Sequence, residues 1–149
     1  MEVKGLRNGA IVSFVVSLVI LFAGGYFAQK KIPPIPQKVV ADGKVIMQKD
    51  DILRGQDVYQ RYGLMDHGSV WGHGTLRGMD FSAYTLHMIG EAMRDFHASQ
   101  GAPQAGAYRA LPADKQRAIA ADVIEEMHGN RYDPIAGTLT LTPAQAYAF

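Results

Sequence analysis

The chain has 149 residues, of which 48% are hydrophobic and 19% are charged, and it contains no cysteine. This length fits one modest domain with an appendage. The absence of cysteine excludes disulfides, thiolate zinc sites, iron–sulfur clusters and covalently attached c-type haem. The formal net charge of +1 gives no electrostatic footprint for nucleic acid, so we expect no nucleic-acid partner.

The small net charge hides an asymmetry along the chain. Residues 1–31 carry Lys4, Arg7, Lys30 and Lys31 against Glu2, whereas the chain from residue 38 onward has a slight acidic excess. The basic residues of the first part therefore stand on both sides of a single uncharged segment.

That segment runs from Ala10 to Ala28 and reads AIVSFVVSLVILFAGGYFA. As a helix it would be about 28 Å long, close to the ~30 Å hydrocarbon core of a bilayer. A cleavable signal peptide is the rival interpretation, but signal peptides have a shorter apolar region. We therefore predict a transmembrane helix over residues 10–29, with membrane lipid around it.

Three prolines among residues 32–36, in the sequence IPPIP, follow the predicted helix. Proline cannot continue a helix and favours a stiff extended spacer. We expect residues 30–37 to be a linker and residues 38–149 to form a domain held near the membrane.

The first half of this domain shows a hairpin, a helix and a loop. Val39–Met47 is expected to turn at Asp42-Gly43. A helix capped by Asp50 or Asp51 is expected to run to Tyr62. Its apolar side would carry Ile52, Val58, Tyr59 and Tyr62. A loop rich in glycine then covers Gly63–Gly78.

The second half of the domain is predicted to be mostly helical. Helices are expected from Asp80 to Ser99 and over Ala113–His128, with a short strand or hairpin arm in Asp133–Thr142. The apolar stripe of the first helix comprises Phe81, Tyr84, Met88, Ile89, Met93 and Phe96; the inward residues of the second are Ile119, Val123, Ile124 and Met127. Thr142-Pro143 opens a further helix, and we expect Phe149 to be a boundary within a longer protein. The predicted fold class is mainly α with a small β-hairpin element.

The motif that carries functional information lies in Gly55–Phe81, GQDVYQRYGLMDHGSVWGHGTLRGMDF. An amphipathic helix followed by six residues ending in His-Gly resembles the opening of a c-type cytochrome, where the pattern is Cys-x-x-Cys-His-Gly. The matching residues here are Gly63 to Gly68. Both cysteine positions are replaced, while His67 and Gly68 remain, so the domain looks like a cytochrome c fold without its haem attachment.

The membrane helix, the proline-rich linker, the block GLMDHGSVWGHGTLRGMDF and the segment GNRYDPIAGTLTLTPAQAYAF together resemble quinol-dependent nitric oxide reductase. That family, in the haem-copper oxidase superfamily, fuses a haemless cytochrome c-like domain to a catalytic helical bundle with haem b, haem b3 and a non-haem iron. The resemblance implies reduction of two nitric oxide molecules to nitrous oxide and water, with membrane quinol as the electron donor in denitrification. It also implies a cytoplasmic amino terminus over residues 1–9 and a domain on the periplasmic side of a bacterial inner membrane.

Within this resemblance the segment anchors and caps the catalytic bundle, carries no catalytic or haem-binding residue and has no activity alone. The alternative is a separate, single-span, haemless structural subunit of a haem-copper-type oxidase or reductase. A soluble electron carrier is a third interpretation, which the missing haem anchors disfavour.

A calcium site is also implied by the resemblance. In relatives that accept electrons from cytochrome c, a Gly-x-Gly-x-Tyr stretch helps to hold calcium through backbone carbonyls. The nearest match here is GHGTL, residues 72–76, which suggests carbonyl oxygens of Gly74 and Leu76 as ligands. Calcium accepts backbone carbonyls, so loss of the tyrosine side chain does not by itself exclude the site.

Several residues of the loop have competing interpretations. His67 could bind haem without covalent attachment, with Met79, Met88 or Met93 opposite, although core packing explains the methionines more simply. Asp66, His67 and His73 could form a metal cluster. Trp71 is expected to pack on a partner rather than to lie near quinol, and Arg77 to be a surface charge rather than a partner of haem propionates. On the helices, His87 and Glu91 suggest a solvated ion pair, and Glu125-Glu126 a solvated face.

Overall fold

The computed structural model describes residues 2–101 and 104–149. The chain divides into two compact units, one ending at Pro34 and the other covering Ile35–Phe149. The first unit is a single helix, α1, over Glu2–Lys30. It is long and apolar enough to cross a membrane, with a mean hydropathy of 2.3 in its most apolar window. It begins at Glu2, before the predicted start at Ala10, and so includes the polar residues that precede the apolar segment.

The second unit is mainly α, as predicted, and it contains two small sheets where a small β-hairpin element was expected. Its helices are α2 (Lys49–Arg61), α3 (Phe81–Ala98), α4 (Ala113–His128) and α5 (Pro143–Ala148). Its strands are β1 (Lys38–Ala41), β2 (Lys44–Gln48), β3 (Ser69–Val70), β4 (His73–Gly74), β5 (Tyr132–Asp133) and β6 (Thr138–Thr140).

The larger sheet has the order β2-β1-β6-β5. The predicted β1–β2 hairpin is present, and Asp42 and Gly43 at its turn both have positive φ, as a type I′ turn requires. The predicted arm near the carboxyl end is the β5–β6 hairpin, and β6 also pairs in parallel with β1. Val39, Ala41 and Leu141 form a buried cluster on this sheet.

The main core lies where α3, α4 and α5 meet. Ile89 and Met93 of α3 pack against Val123 of α4 and Ala144 of α5, and the Met93 side chain is fully buried. Only part of each predicted apolar stripe contributes. The other stripe residues include three that are about half exposed: Tyr84, Met88 and Ile124. They lie at the edges of the stripes, beyond the line where the helices contact one another.

Helix α2 differs from the prediction in its cap and its packing. It begins at Lys49 after Gln48, and the carboxylate of Asp51 accepts a hydrogen bond from the Gln48 N–H at 2.9 Å. Asp51 therefore caps from inside the first turn rather than from the position before it. No residue of α2 is buried, so its apolar side is not part of the described core.

Candidate functional site

The candidate site is the segment 63–80, which we call the glycine loop. It is folded rather than irregular: a 3-10 turn over Leu64–Asp66 leads into the β3–β4 hairpin, and the segment then returns to the start of α3. Three of its glycines lie where another backbone passes too closely for a side chain. A Cβ added at Gly78 would lie 1.8 Å from the His67 carbonyl oxygen, and one at Gly74 would lie 2.3 Å from that of Gly68. The third, Gly68, abuts the Met79 carbonyl and the ring of Phe81.

The carboxylate of Asp80 joins this loop to α3. It accepts hydrogen bonds from the Ser69 hydroxyl at 2.7 Å, from the Gly72 N–H at 2.9 Å and from the Ala83 N–H at 2.9 Å. Because these donors favour the charged form, Ser69 first among them, the pKa of Asp80 is lowered to about 2. One side chain thus caps the helix and holds both the first strand of the hairpin, at Ser69, and its turn, at Gly72.

The hairpin presents Trp71 at its tip. Trp71 and Gly72 both have positive φ, at 54° and 76°, which is an unfavourable backbone conformation for a bulky residue. The Trp71 N–H donates to the Ser82 hydroxyl at 3.0 Å, and the neighbouring bond to Asp80 holds Gly72. The Trp71 side chain is nonetheless 75% exposed, so its position is not explained by packing within the domain.

Tyr59 of α2 supports the other side of the loop. Its hydroxyl donates to the His73 carbonyl at 3.3 Å, and its ring packs edge-to-face on Phe81 with centroids 6.4 Å apart. The Thr75 N–H donates to the Met65 carbonyl at 2.7 Å. Five large apolar side chains in and beside the loop are nevertheless exposed. We call them the loop apolar residues: Tyr62, Met65, Trp71, Leu76 and Met79.

The structure bears on the pairing of His67 with Met93 as haem ligands and on the metal cluster considered from the sequence. His67 is exposed, whereas Met93 is buried in the α3–α4–α5 core, so they do not face each other as axial ligands. Among residues 2–101 and 104–149, no three histidine or acidic side chains come together as a metal site. The cluster of Asp66, His67 and His73 considered from the sequence is therefore not formed in this structure.

Gly74 lies in β4, and Leu76 lies two residues beyond it with its side chain 91% exposed. Two backbone carbonyls supply at most two of the six to eight oxygen ligands that calcium takes. The described part of the chain brings no acidic cluster to them. The calcium site stays a prediction, and it requires most of its ligands from a partner surface.

The structure tests the expectations for three sets of charged residues: the His87–Glu91 pair, Arg77 and the Glu125-Glu126 face. His87 and Glu91 form the expected pair, 3.7 Å apart, and Arg109 contacts the same carboxylate at 2.7 Å. Arg77 is exposed, as its surface interpretation expects. The expectation of a solvated Glu125-Glu126 face is wrong for Glu126.

The side chain of Glu126 is only 14% exposed. It contacts His97 of α3 at 2.8 Å and accepts a hydrogen bond from the hydroxyl of Thr142, the residue that caps α5. One signal for this network is visible in the sequence, the Thr142-Pro143 helix start, but the partner on α4 could not be identified because it is distant along the chain.

Comparison with known protein families identifies the family of the domain. Residues 36–149 match the family described as the NorB cytochrome c-like domain of nitric oxide reductase. The chain belongs to this family. No curated protein matches the chain. The match covers nearly all of the unit that follows α1, so the glycine loop lies within this cytochrome c-like domain, and the chain contains no cysteine.

Proposed function

We propose that this chain is the membrane-anchored, N-terminal part of a nitric oxide reductase that takes electrons from quinol and reduces two nitric oxide molecules to nitrous oxide and water. The observation that carries the proposal is that a domain of this family has Gly63 and Asp66 where the matching pattern of a c-type cytochrome has its two haem-attachment cysteines. A quinol donor needs no c-type haem relay, so the domain could lose its cofactor and keep a packing role. The segment itself has no catalytic residue.

The proposed role of the domain is to dock on and cap the catalytic helical bundle, whether in the same chain or in a partner subunit. The exposed Trp71 supports this role, because an unfavourable backbone conformation held by neighbouring hydrogen bonds indicates that the side chain is presented for contact. Leu76 is even more exposed, and exposed apolar side chains concentrated in one loop are typical of interaction sites. The haem b, haem b3 and non-haem iron of the parent enzyme belong to that bundle.

We further propose that α1 crosses the bacterial inner membrane with its amino terminus in the cytoplasm and the domain on the periplasmic side. In this arrangement the loop apolar residues cover the outer face of the bundle. Calcium, held in part by the Gly74 and Leu76 carbonyls, would add a cross-link between the two surfaces.

The identity of the native protein tests the first proposal. Membranes would be solubilised in mild detergent and immunopurified with an antibody against residues 38–149. We expect b-type haem and quinol-driven consumption of nitric oxide in the purified material. A haem-free band near 16 kDa would overturn fusion, and its co-purifying partner would then decide in favour of the separate structural subunit.

The docking role is tested by substitution in the native enzyme. Leu76→Ser and Trp71→Ser should loosen the domain, measured as faster proteolysis between domain and bundle and as loss of quinol-driven activity. Ile135→Ser is the matched control, because Ile135 is 98% exposed on the β5–β6 turn, outside the glycine loop. Equal effects of Leu76→Ser and Ile135→Ser would contradict docking through the loop.

A further inference from the structure

The carboxyl-terminal part of α1 carries a shallow apolar groove. The groove has a volume of about 490 Å³ and is lined by Leu18, Leu21, Phe22, Gly25 and Tyr26. These residues follow one another at steps of three or four positions, which places them on one side of the helix. The groove therefore runs along the helix axis toward the carboxyl end of α1.

Gly25 keeps the middle of this groove open. A Cβ added at Gly25 would meet no atom within 4 Å, and the neighbouring rings of Phe22 and Tyr26 are 77% and 58% exposed. The most apolar window of α1 is not buried by any other part of the described chain. In a membrane, this open apolar surface faces hydrocarbon.

Lys30 places a positive charge at the end of the groove. Phe22, Tyr26 and Lys30 are four residues apart in turn, so they lie along the same face of the helix. The Lys30 Nζ lies 4.6 Å from the centre of the Tyr26 ring, and Lys31 follows directly. The contact with the ring positions the ammonium group without neutralising it.

This end of α1 has a true excess of positive charge. Residues 3–34 contain no Asp or Glu, and Glu2 is separated from Lys30 by about 42 Å along the helix. Neither Lys30 nor Lys31 takes part in an ion pair with any of the residues described in the structure. The partial negative charge at the carboxyl end of a helix, about half an elementary charge, offsets only part of the two ammonium charges.

The distance from the groove to the lysines matches the depth of one lipid leaflet. Leu18 and Lys30 are about 18 Å apart along the helix, and half of a ~30 Å hydrocarbon core is about 15 Å. An acyl chain that lies along the groove from Leu18 would therefore bring its headgroup to the level of Lys30. Tyr26 then lies where amphipathic aromatic rings are enriched, at the boundary between hydrocarbon and headgroups.

We propose that the carboxyl-terminal part of α1 binds an anionic phospholipid, with the phosphate at Lys30 and Lys31 and one acyl chain in the groove at Gly25. The two lysines select the negative headgroup, and the groove orients the chain by van der Waals contact. The inference rests on the proposed insertion of α1 in a membrane. It does not depend on the docking role of the glycine loop or on nitric oxide reduction.

Membrane insertion is measured first, so that its failure can be told apart from failure of the lipid site. The full chain would be reconstituted into vesicles of equal parts phosphatidylcholine and phosphatidylglycerol and washed with alkaline carbonate. We expect the chain to stay with the vesicles. Its release would overturn both the anchoring by α1 and the lipid site.

Lipid preference is then measured by native mass spectrometry on the full chain in neutral detergent, after delipidation. The probe is palmitoyl-oleoyl phosphatidylglycerol, and the comparison ligands are palmitoyl-oleoyl phosphatidylcholine and inorganic phosphate. We expect phosphatidylglycerol to bind at least about tenfold more tightly than either, because each lysine near an anionic headgroup contributes to binding.

The headgroup contact is tested by the double variant Lys30→Gln, Lys31→Gln, which should lose the roughly tenfold preference for phosphatidylglycerol over phosphatidylcholine. The control is Lys4→Gln, Arg7→Gln, which removes two positive charges from the other end of α1. It should keep the preference.

The groove is tested by Gly25→Leu, which should weaken the binding of both lipids at least about threefold, because the added side chain occupies the space of the acyl chain. Gly24→Leu is the matched control. A Cβ at Gly24 also meets no atom within 4 Å, but Gly24 does not line the groove.

The proposal is supported by loss of preference in the Lys30 and Lys31 variant and weaker binding in Gly25→Leu, with both controls unchanged. Equal affinity of the wild type for the two phospholipids would overturn the lipid site while leaving membrane anchoring intact. Equal effects of the two double variants, or of the two glycine variants, would also overturn it. Phosphate binding as tight as phosphatidylglycerol would reduce the site to a simple anion site and overturn the lipid assignment.

Discussion

The two halves of the domain are stabilised in different ways. The α3–α4–α5 half buries apolar side chains around Met93, whereas α2 buries none and the glycine loop beside it is held by hydrogen bonds and close backbone contacts. Burial tolerates some variation in shape, but backbone contacts at Gly74 and Gly78 tolerate no side chain. The α3–α4–α5 half therefore supplies stability, and the half with α2 and the glycine loop supplies a defined surface.

The largest expected effect on stability comes from truncating the buried side chain of Met93 in the core. Met93→Ala should lower the free energy of unfolding by about 2–5 kcal/mol, because a fully buried side chain leaves a cavity. Denaturant unfolding followed by circular dichroism would measure it. Met88→Ala, on the same helix but half exposed, is the control, and an equal loss there would contradict this assignment of the core.

In the glycine loop, Gly78→Ala should lower the free energy of unfolding by about 1–3 kcal/mol, because its Cβ would overlap the His67 carbonyl and force a backbone shift. Fluorescence of Trp71, the sole tryptophan, would report the local change. Gly55→Ala in α2 is the matched control, since it meets nothing within 4 Å. It should stabilise the helix by up to about 1 kcal/mol.

The contacts of Glu126 on α4 with His97 on α3 and with Thr142 before α5 are the next feature to test. Glu126→Ala should cost about 1–3 kcal/mol of unfolding free energy, because it leaves His97 and Thr142 without their shared acceptor. Cleavage by a protease near α5 should become faster. Glu125→Ala, at the exposed neighbouring position, should stay within about 0.5 kcal/mol of the wild type.

The smallest effect should be the pH dependence contributed by Asp80. Its pKa is lowered in the folded state, to about 2 from an ordinary 3.8, so its charged form stabilises the fold above pH 3.8. That contribution is lost as the pH falls from 3.8 through 2. The stability difference between wild type and Asp80→Asn should therefore shrink over this range in acid denaturation, and a difference that stays constant would contradict the role of the charge.

The sequence predicted the helical half better than the loop half. The helical spacing of apolar residues within each helix identified the core positions Ile89 and Met93 of α3 and Val123 of α4. Asp80 was correctly expected at the start of α3. The periodicity could not distinguish buried from edge positions such as Met88 and Ile124, because that depends on where a neighbouring helix lies.

In the loop, composition indicated an unusual backbone but not its contacts. Gly78 packs against the His67 carbonyl, and Ser69 and Gly72 donate hydrogen bonds to Asp80. These contacts depend on how the loop folds in three dimensions, so no periodic pattern in the sequence predicts them. The match of Gly63 and Asp66 to the haem-attachment positions of a c-type cytochrome stays a prediction, which rests on their fixed spacing before His67. The same spacing says nothing about whether calcium or a partner covers Leu76.

The parallel pairing of β1 with β6 has a consequence for biosynthesis. Lys38 lies opposite Thr138, so β1, the first strand after α1, is synthesised about 100 residues before its partner β6. At about 5–20 residues per second, this interval lasts roughly 5–20 s. Meanwhile Val39 and Ala41, which end up buried, are covered on one edge only by the β2 hairpin. The nascent chain would thus expose an open strand edge until β6 is made, which is the stage at which a holding chaperone would protect it most.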